Sequence, residues 1–393
     1  MTPAARVQAA IELLDAVVGA AQGAGPAADT IIAAYFRERR YAGSADRRAV
    51  RELVYRAIRR SGERPSSGRA AMLGLAQDEP ALLASFDGSA HAPASPSPGE
   101  EAANACAAPA WLAGLFDPLL DEAELATLLE RAPLDLRVNR LRGGVADVRA
   151  ALPDASPAPL SPLGLRLPEG FRVEQEAAWR SGLVEVQDEG SQLIALACGA
   201  APGATVVDLC AGAGGKTLAL AAEMADQGRI VAADTDRGRL SRMAPRLRRA
   251  GVSIVETRLL DPGKESAGLA DLEGQADLVM VDAPCSGTGT WRRNPETRWR
   301  LTSDRLDRLI KVQAYLLDIA AKLVRPGGDL VYAVCSLLAG EGRGQAESFA
   351  SRSGFIAQSP AMRAGREAGG GRLLTPGRDG TDGFFVARWR APC

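Results

Sequence analysis

Only one histidine occurs in 393 residues, His91, and it lies in Ser-Ala-His-Ala-Pro-Ala-Ser-Pro-Ser-Pro. A segment so rich in proline, serine and alanine holds no fixed side-chain geometry. Ser-His-Asp hydrolysis, Cys-His proteolysis and His-ligated zinc are excluded, because each needs an imidazole on a rigid element. No run free of charge, glycine and proline reaches the roughly 20 residues that span a bilayer. The first twenty residues carry Arg6, Glu12 and Asp15, so they lack the apolar centre of a secretory leader. The six cysteines stand at scattered spacings, which suits reduced thiols better than a disulfide framework. A cytoplasmic monomer with no membrane partner and no metal is expected. The net charge of −1 excludes attraction of the whole molecule to a polyanion, so nucleic-acid binding must come from local patches.

Such a patch exists. Residues 37–60 hold nine arginines against Glu38, Asp46 and Glu52. They fall in a stretch of helical periodicity. Val7, Ile11, Leu14 and Val18 recur at steps of three and four, and Val50, Leu53, Val54 and Ala57 follow a helix start near Ser44. Residues 1–86 therefore read as a small all-α domain whose arginine-rich half is either a solvated face or an RNA phosphate-binding face. Residues 87–109 read as a linker. Residues 110–185 combine a helical stretch after Trp111 with short alternating runs, a small α+β unit.

From residue 186 onward, strands alternate with helices. Candidate strands cover 205–209, 229–234, 253–260, 276–282 and 329–335, and the clearest helix carries Leu309, Val312, Leu316, Ile319 and Leu323. This order implies a mostly parallel, doubly wound sheet of the Rossmann-like α/β class. The run 383–389 reads as an added edge strand.

Within this domain Val206-Val-Asp-Leu-Cys-Ala-Gly-Ala-Gly-Gly-Lys-Thr217 is a strand, a glycine turn and a helix start. Glycines let the backbone approach a ligand, and the helix N-terminus offers free amides. A phosphate-binding P-loop would need glycine where Cys210 stands, so that match is broken. A nucleoside cofactor instead needs an acid at the end of the second strand to hold its ribose. Asp234 ends that strand.

Two cysteines complete the pattern. Cys285 and Cys335 close the apolar runs Val279-Met-Val-Asp-Ala-Pro-Cys-Ser286 and Leu330-Val-Tyr-Ala-Val-Cys-Ser336. In open parallel sheets ligands bind beyond the carboxyl ends of the strands, so both thiols should reach one edge near the cofactor. Asp282 ends the same strand that delivers Cys285.

Together with Gln187-Asp-Glu-Gly-Ser-Gln192, Arg292-Arg-Asn-Pro-Glu296, Trp299 and Asp382-Gly-Phe-Phe385, these segments resemble the Sun-type family of S-adenosylmethionine-dependent RNA cytosine-5 methyltransferases. Within it they are most similar to the bacterial 16S ribosomal RNA methyltransferase B group. The resemblance covers residues 186–390 in order. The N-terminal region resembles the NusB-like RNA-binding domain found there, and residues 110–185 the small unit that precedes catalysis. The resemblance implies that Cys210, Ala211, Gly212, Ala213, Gly214, Gly215, Lys216, Asp234, Asp261 and Asp282 surround S-adenosylmethionine. Ala213 replaces the family's usual proline, which would loosen the turn. Val334 replaces a common threonine.

The chemistry fits these residues. Carbon 5 of cytosine is too poor a nucleophile to attack a sulfonium methyl group until a nucleophile has added to carbon 6, and a thiolate does this without a histidine. Asp282 is the natural group to bind the N3 edge of the base. Chemistry alone does not choose between the thiols. The resemblance assigns attack to Cys335 and product release to Cys285. Lys216 either orients this site or is a surface lysine at a helix start. Arg292, Arg293, Arg298 and Arg300, with Trp291 and Trp299, either hold RNA or form a solvated charged face. The expected function is methyl transfer to a cytosine of RNA, with 16S ribosomal RNA as partner. Its rivals are a non-catalytic ribosome assembly factor that keeps the fold, a P-loop hydrolase and a DNA methyltransferase.

Overall fold

The computed structural model describes residues 1–23 and 25–393. The chain folds as two units. Met1–Arg131 with Thr290–Ser303 form the first, and Ala132–Gly289 with Asp304–Cys393 the second. Residues 110–131, grouped on sequence with the α+β unit, thus belong to the first. The stretch read as a linker is tied down in places: Cys106 donates its N–H to the Arg60 carbonyl at 3.0 Å and Ala103 to that of Ala70 at 2.9 Å.

The first unit is built on helices α1 (Pro3–Ala21), α2 (Ala28–Glu38), α3 (Ser44–Arg60) and α4 (Gly68–Asp78). Helix α1 starts where Thr2 accepts the Ala5 N–H and Pro3 fills the first position, which needs no donor. Val7, Ile11, Leu14 and Val18 are all buried, joined by Val50, Val54 and Ala57 of α3. The helical periodicity thus marked a real core face.

Most of the arginine-rich stretch is engaged within the unit. Arg51 pairs with Asp29 at 2.7 Å, Arg60 with Asp78 at 2.7 Å, Arg39 with Glu12 at 3.5 Å, and Arg56 with Glu79. Arg37, Arg40 and Arg48 are exposed and form no ion pair among the described residues.

The segment 290–303 corrects one expectation. Trp291 and Arg298 are 0% exposed and Trp299 is 4% exposed, so neither indole is free to stack on RNA and Arg298 belongs to no solvated face, while Arg293 and Arg300 keep partial exposure. Arg298 donates to the carbonyls of Pro295, Ile58 and Arg59 at 2.9, 3.3 and 3.2 Å, and Trp299 to that of Ser61 at 2.7 Å. Arg300 donates to Gly25 and Pro26 at 2.8 and 2.6 Å. A helix C-terminus leaves four carbonyls without partners and favours a nearby cation, so Arg298 closes the end of α3. Arg292 is buried as well, at 4% exposure.

The second unit begins with a small antiparallel sheet, in the order β2 (Ser156–Pro157), β3 (Gly164–Leu167), β1 (Leu134–Val138), β4 (Val184–Val186). Its buried face carries Leu136, Val138, Leu165, Leu167 and Val184. The large sheet holds nine strands among the described residues. Five are parallel, in the order β7 (Val255–Leu259), β6 (Arg229–Asp234), β5 (Thr205–Leu209), β8 (Ala276–Asp282), β9 (Val324–Val334). The central strands are continuous apolar runs because both faces are covered.

Four antiparallel strands follow: β10 (Ile356–Gln358), β11 (Arg366–Ala368), β12 (Gly371–Leu374) and β13 (Phe384–Arg390). The run read as an edge strand is internal. Strand β13 lies between β9 and β12, with Phe385 paired to Val334 on one side and to Leu373 on the other. No described helix is long and apolar enough to cross a membrane.

Candidate active site

Strand order explains how four distant residues meet. Strand β8 ends at Asp282 opposite Ala333 of β9, and the Ala283 N–H extends the ladder one step to the Ala333 carbonyl at 2.9 Å. Cys285 and Cys335 leave the sheet side by side. Their sulfurs lie 3.3 Å apart and both thiols are free. On the other flank of β8, strand β5 leads into the helix Gly215–Glu223, whose first turn carries Lys216. Lys216 donates to Asp282 Oδ2 at 2.7 Å, and its side chain is only 11% exposed, so it is no surface lysine.

The electrostatics follow from burial and from this pairing. Burial would lower the Lys216 pKa, but the charge and hydrogen bond of Asp282 outweigh it, and Cys335 and Asp208 add to the rise. The Cys285 thiol is pushed well above its ordinary range by its hydrogen bond with Cys335, then by burial and by the charges of Cys335 and Glu341. Asp208, buried in β5, is pushed up to about 7 by burial, although Thr217 donates to it at 2.6 Å. Its Oδ1 has no partner.

The glycine turn runs alongside. Cys210 adopts φ +71° in the left-handed region, and the N–H groups of Cys210 and Ala211 both reach the Ala233 carbonyl, at 2.9 and 3.0 Å. Gly212 donates to Asp234 Oδ2 at 2.8 Å, while Oδ1 accepts from Asp236 at 2.8 Å. Asp234 therefore fixes the turn in addition to ending its strand. Gly214 has φ +84°, and a Cβ there would lie 2.7 Å from Met243; one on Gly215 would meet nothing within 4 Å. Leu260 donates to the Asp234 carbonyl at 2.9 Å, which places the exposed Asp261 next to this strand end. The expected loosening at Ala213 is offset. Arg246 donates to its carbonyl at 2.8 Å and is itself held by Glu185 at 3.1 Å.

A family model described as 16S rRNA methyltransferase RsmB/F matches residues 195–390. A ribosomal RNA small subunit methyltransferase B of Xylella fastidiosa (strain 9a5c) is 38% identical over 279 residues, which cover 68% of this chain and 64% of that relative. The chain belongs to the RsmB/F methyltransferase family.

A probable ribosomal RNA small subunit methyltransferase B of Synechocystis is 33% identical over 71% of this chain and 66% of its own length. The chain thus spans slightly under two thirds of these RsmB/F relatives. A solved structure described as a methyltransferase homolog protein from Pyrococcus horikoshii is 27% identical, with a TM-score of 0.61 over 68% of this chain and 90% of that one.

S-adenosylmethionine is the cofactor of this RsmB/F domain. The turn fits it: Gly215 opens onto free space at a helix start, and Gly212 meets only the Arg239 guanidinium, 3.8 Å from where a Cβ would be. No three His, Cys, Asp or Glu side chains among the described residues are grouped to hold a metal ion.

The sequence reading missed one residue that belongs to the site. Glu341 is 0% exposed, and its carboxylate accepts from Ser286 and Ser336, which directly follow the two cysteines. The repeated Cys-Ser dipeptide was the available signal, but nothing in the sequence joined either serine to a glutamate.

Proposed function

We propose that this RsmB/F chain methylates carbon 5 of a cytosine in RNA, with 16S ribosomal RNA as substrate, through a covalent bond between Cys335 and carbon 6 of the base. The observation that carries this reading is the pair of free thiols 3.3 Å apart at the ends of adjacent parallel strands, beside a lysine-fixed carboxylate. The pair does not adjoin a phosphate-binding P-loop, because Cys210 stands where that loop needs its first glycine. It suits an addition followed by an elimination on a pyrimidine.

S-adenosylmethionine, when bound, supplies a methyl group activated on a sulfonium sulfur. Residues 210–216 hold it, with Asp234 and Asp261 at the neighbouring strand ends. The Cys335 sulfur attacks carbon 6 and later departs with the bonding pair, when carbon 5 loses its proton. Asp282, held by Lys216, shares a proton with N3 of the base, where the attack builds up electron density, and takes it back when the sulfur departs. Cys285 serves release of the methylated base. The target nucleotide must leave any duplex to reach sulfur at this depth. The exposed Arg37, Arg40 and Arg48 offer sequence-independent phosphate contacts to an RNA partner.

Purified protein incubated with methyl-labelled S-adenosylmethionine and unmethylated 16S RNA is expected to deposit label on cytosine carbon 5. Absence of transfer to any RNA would refute the proposal. Bisulfite mapping of ribosomal RNA from cells with and without the gene then identifies the nucleotide.

A further inference from the structure

Both thiol-bearing loops are anchored on one carboxylate. Glu341 Oε1 accepts the Ser286 N–H at 2.8 Å and the Gln313 side-chain amide at 2.9 Å. Its Oε2 accepts the Ser336 hydroxyl at 2.5 Å and the Ser286 hydroxyl. Four donors fill what a carboxylate can accept. All four are neutral, and no lysine or arginine forms an ion pair with Glu341 among the described residues.

A fully buried charge without a cation is expensive to keep, so a well-packed apolar residue would be the more stable choice for the fold alone. The bonds around it extend the same clamp. Gln313 also donates to the Pro284 carbonyl at 3.0 Å, and Thr288 accepts the Leu337 N–H at 2.8 Å. Tyr332 donates to the Glu341 carbonyl at 2.7 Å. Each thiol is one residue from the carboxylate's grip.

We propose that Glu341 is a positioning residue: by binding Ser286 and Ser336 together it sets the separation of the Cys285 and Cys335 sulfurs, on which attack and release depend. This rests on the covalent reading above. The carboxylate's charge also reaches Cys285, where it is one of the influences that keep that thiol protonated. Geometry and charge can be separated by substitution. In Glu341→Gln the amide oxygen can keep the Ser286 N–H and Gln313, while the amide nitrogen donates to the two serine hydroxyls, which are free to reverse. Glu341→Ala removes the bridge altogether.

The sulfur separation can be read without RNA. Diamide, a diazene oxidant, is reduced to the hydrazine as two thiols join in one S–S bond, and peptide mapping counts the Cys285/Cys335 product. Glu341→Ala is expected to slow this cross-link at least about tenfold and to lower kcat for RNA methylation about 10–100-fold. The KM for S-adenosylmethionine should stay within about twofold, and Glu341→Gln should restore most of both rates. Unchanged cross-linking and kcat in Glu341→Ala would overturn the proposal, as would a parallel loss of cofactor affinity. If Glu341→Ala does not fold, Ser336→Ala decides: it is expected to slow cross-linking about threefold or more, and no change refutes the clamp. If wild-type protein methylates no RNA, the functional reading fails while the cross-linking comparison still tests the clamp.

Discussion

Asp208 should make the stability of this protein fall with rising pH across a range where most proteins are indifferent. The group sits in β5 at 1% exposure, with one oxygen bonded to Thr217 and the other unpartnered. Its pKa rises from 3.8 to about 7 on folding. The folded state therefore holds a proton that the unfolded state releases above about pH 4, so stability falls from about pH 4 to pH 7 and levels off once the folded carboxyl ionises as well. At about 1.4 kcal/mol per pH unit, the loss between pH 4 and pH 8 is on the order of 2–4 kcal/mol. Asp208→Asn copies the neutral form and should remove this slope. Thermal unfolding of both proteins from pH 5 to pH 8.5 provides the assay. Near pH 5 the variant should lead by no more than about 2 kcal/mol, and at pH 8.5 by about 4, melting several degrees higher. Parallel pH curves would refute the argument, because they would mean that Asp208 ionises in the folded protein as it does in water.

Three other outcomes are expected, the first from the roles that the family resemblance gives the two thiols and the rest from the geometry. Cys335→Ala should abolish methyl transfer, whereas Cys285→Ala should leave protein covalently attached to RNA on denaturing gels; an adduct that persists in Cys335→Ala would reverse the two roles. Arg246→Ala frees the Ala213 carbonyl and should weaken S-adenosylmethionine binding by roughly 1 kcal/mol in calorimetry, with unchanged affinity showing that the turn holds itself. Arg298→Ala leaves the α3 carbonyls unpaired inside the first unit and should destabilise it by about 3 kcal/mol or more in denaturant unfolding, a loss that a surface arginine would not produce.

The parallel sheet was legible because its signal is local. Strands β5, β6 and β8 are apolar runs that stop at a turn or an acid, and 205–209, 229–234 and 276–282 coincide with them. The two cysteines could be brought to one edge for the same reason, since each closes such a run. Strand β13 was read correctly as a strand but misplaced. Its neighbours are decided by pairing with Val334 and Leu373, and no local pattern records which strand lies outermost. Trp291, Trp299, Arg292 and Arg298 were misread because charge says nothing of depth. Arg298 is satisfied by carbonyls about 240 residues earlier in the chain, and only the folded first unit brings them within reach. Glu341 escaped for a similar reason: its partner Ser286 lies 55 residues away, and a single glutamate in a loop has no spacing to betray it.

The discontinuous make-up of the first unit limits how this protein can be divided. Its helical part ends at Arg131, yet its core is completed by a strip of chain that returns some 160 residues later. Expression of residues 132–393 alone would expose Trp291, Arg298 and Trp299, side chains whose burial depends on Ser61, Ile58 and Phe116. The missing helices would take with them the acceptors of at least three hydrogen bonds and the cover over two indoles. Such a fragment should aggregate. The two units can be told apart by eye but are not separable by scissors, and a gene fusion or truncation that respects only the linear boundary would cut through a finished core.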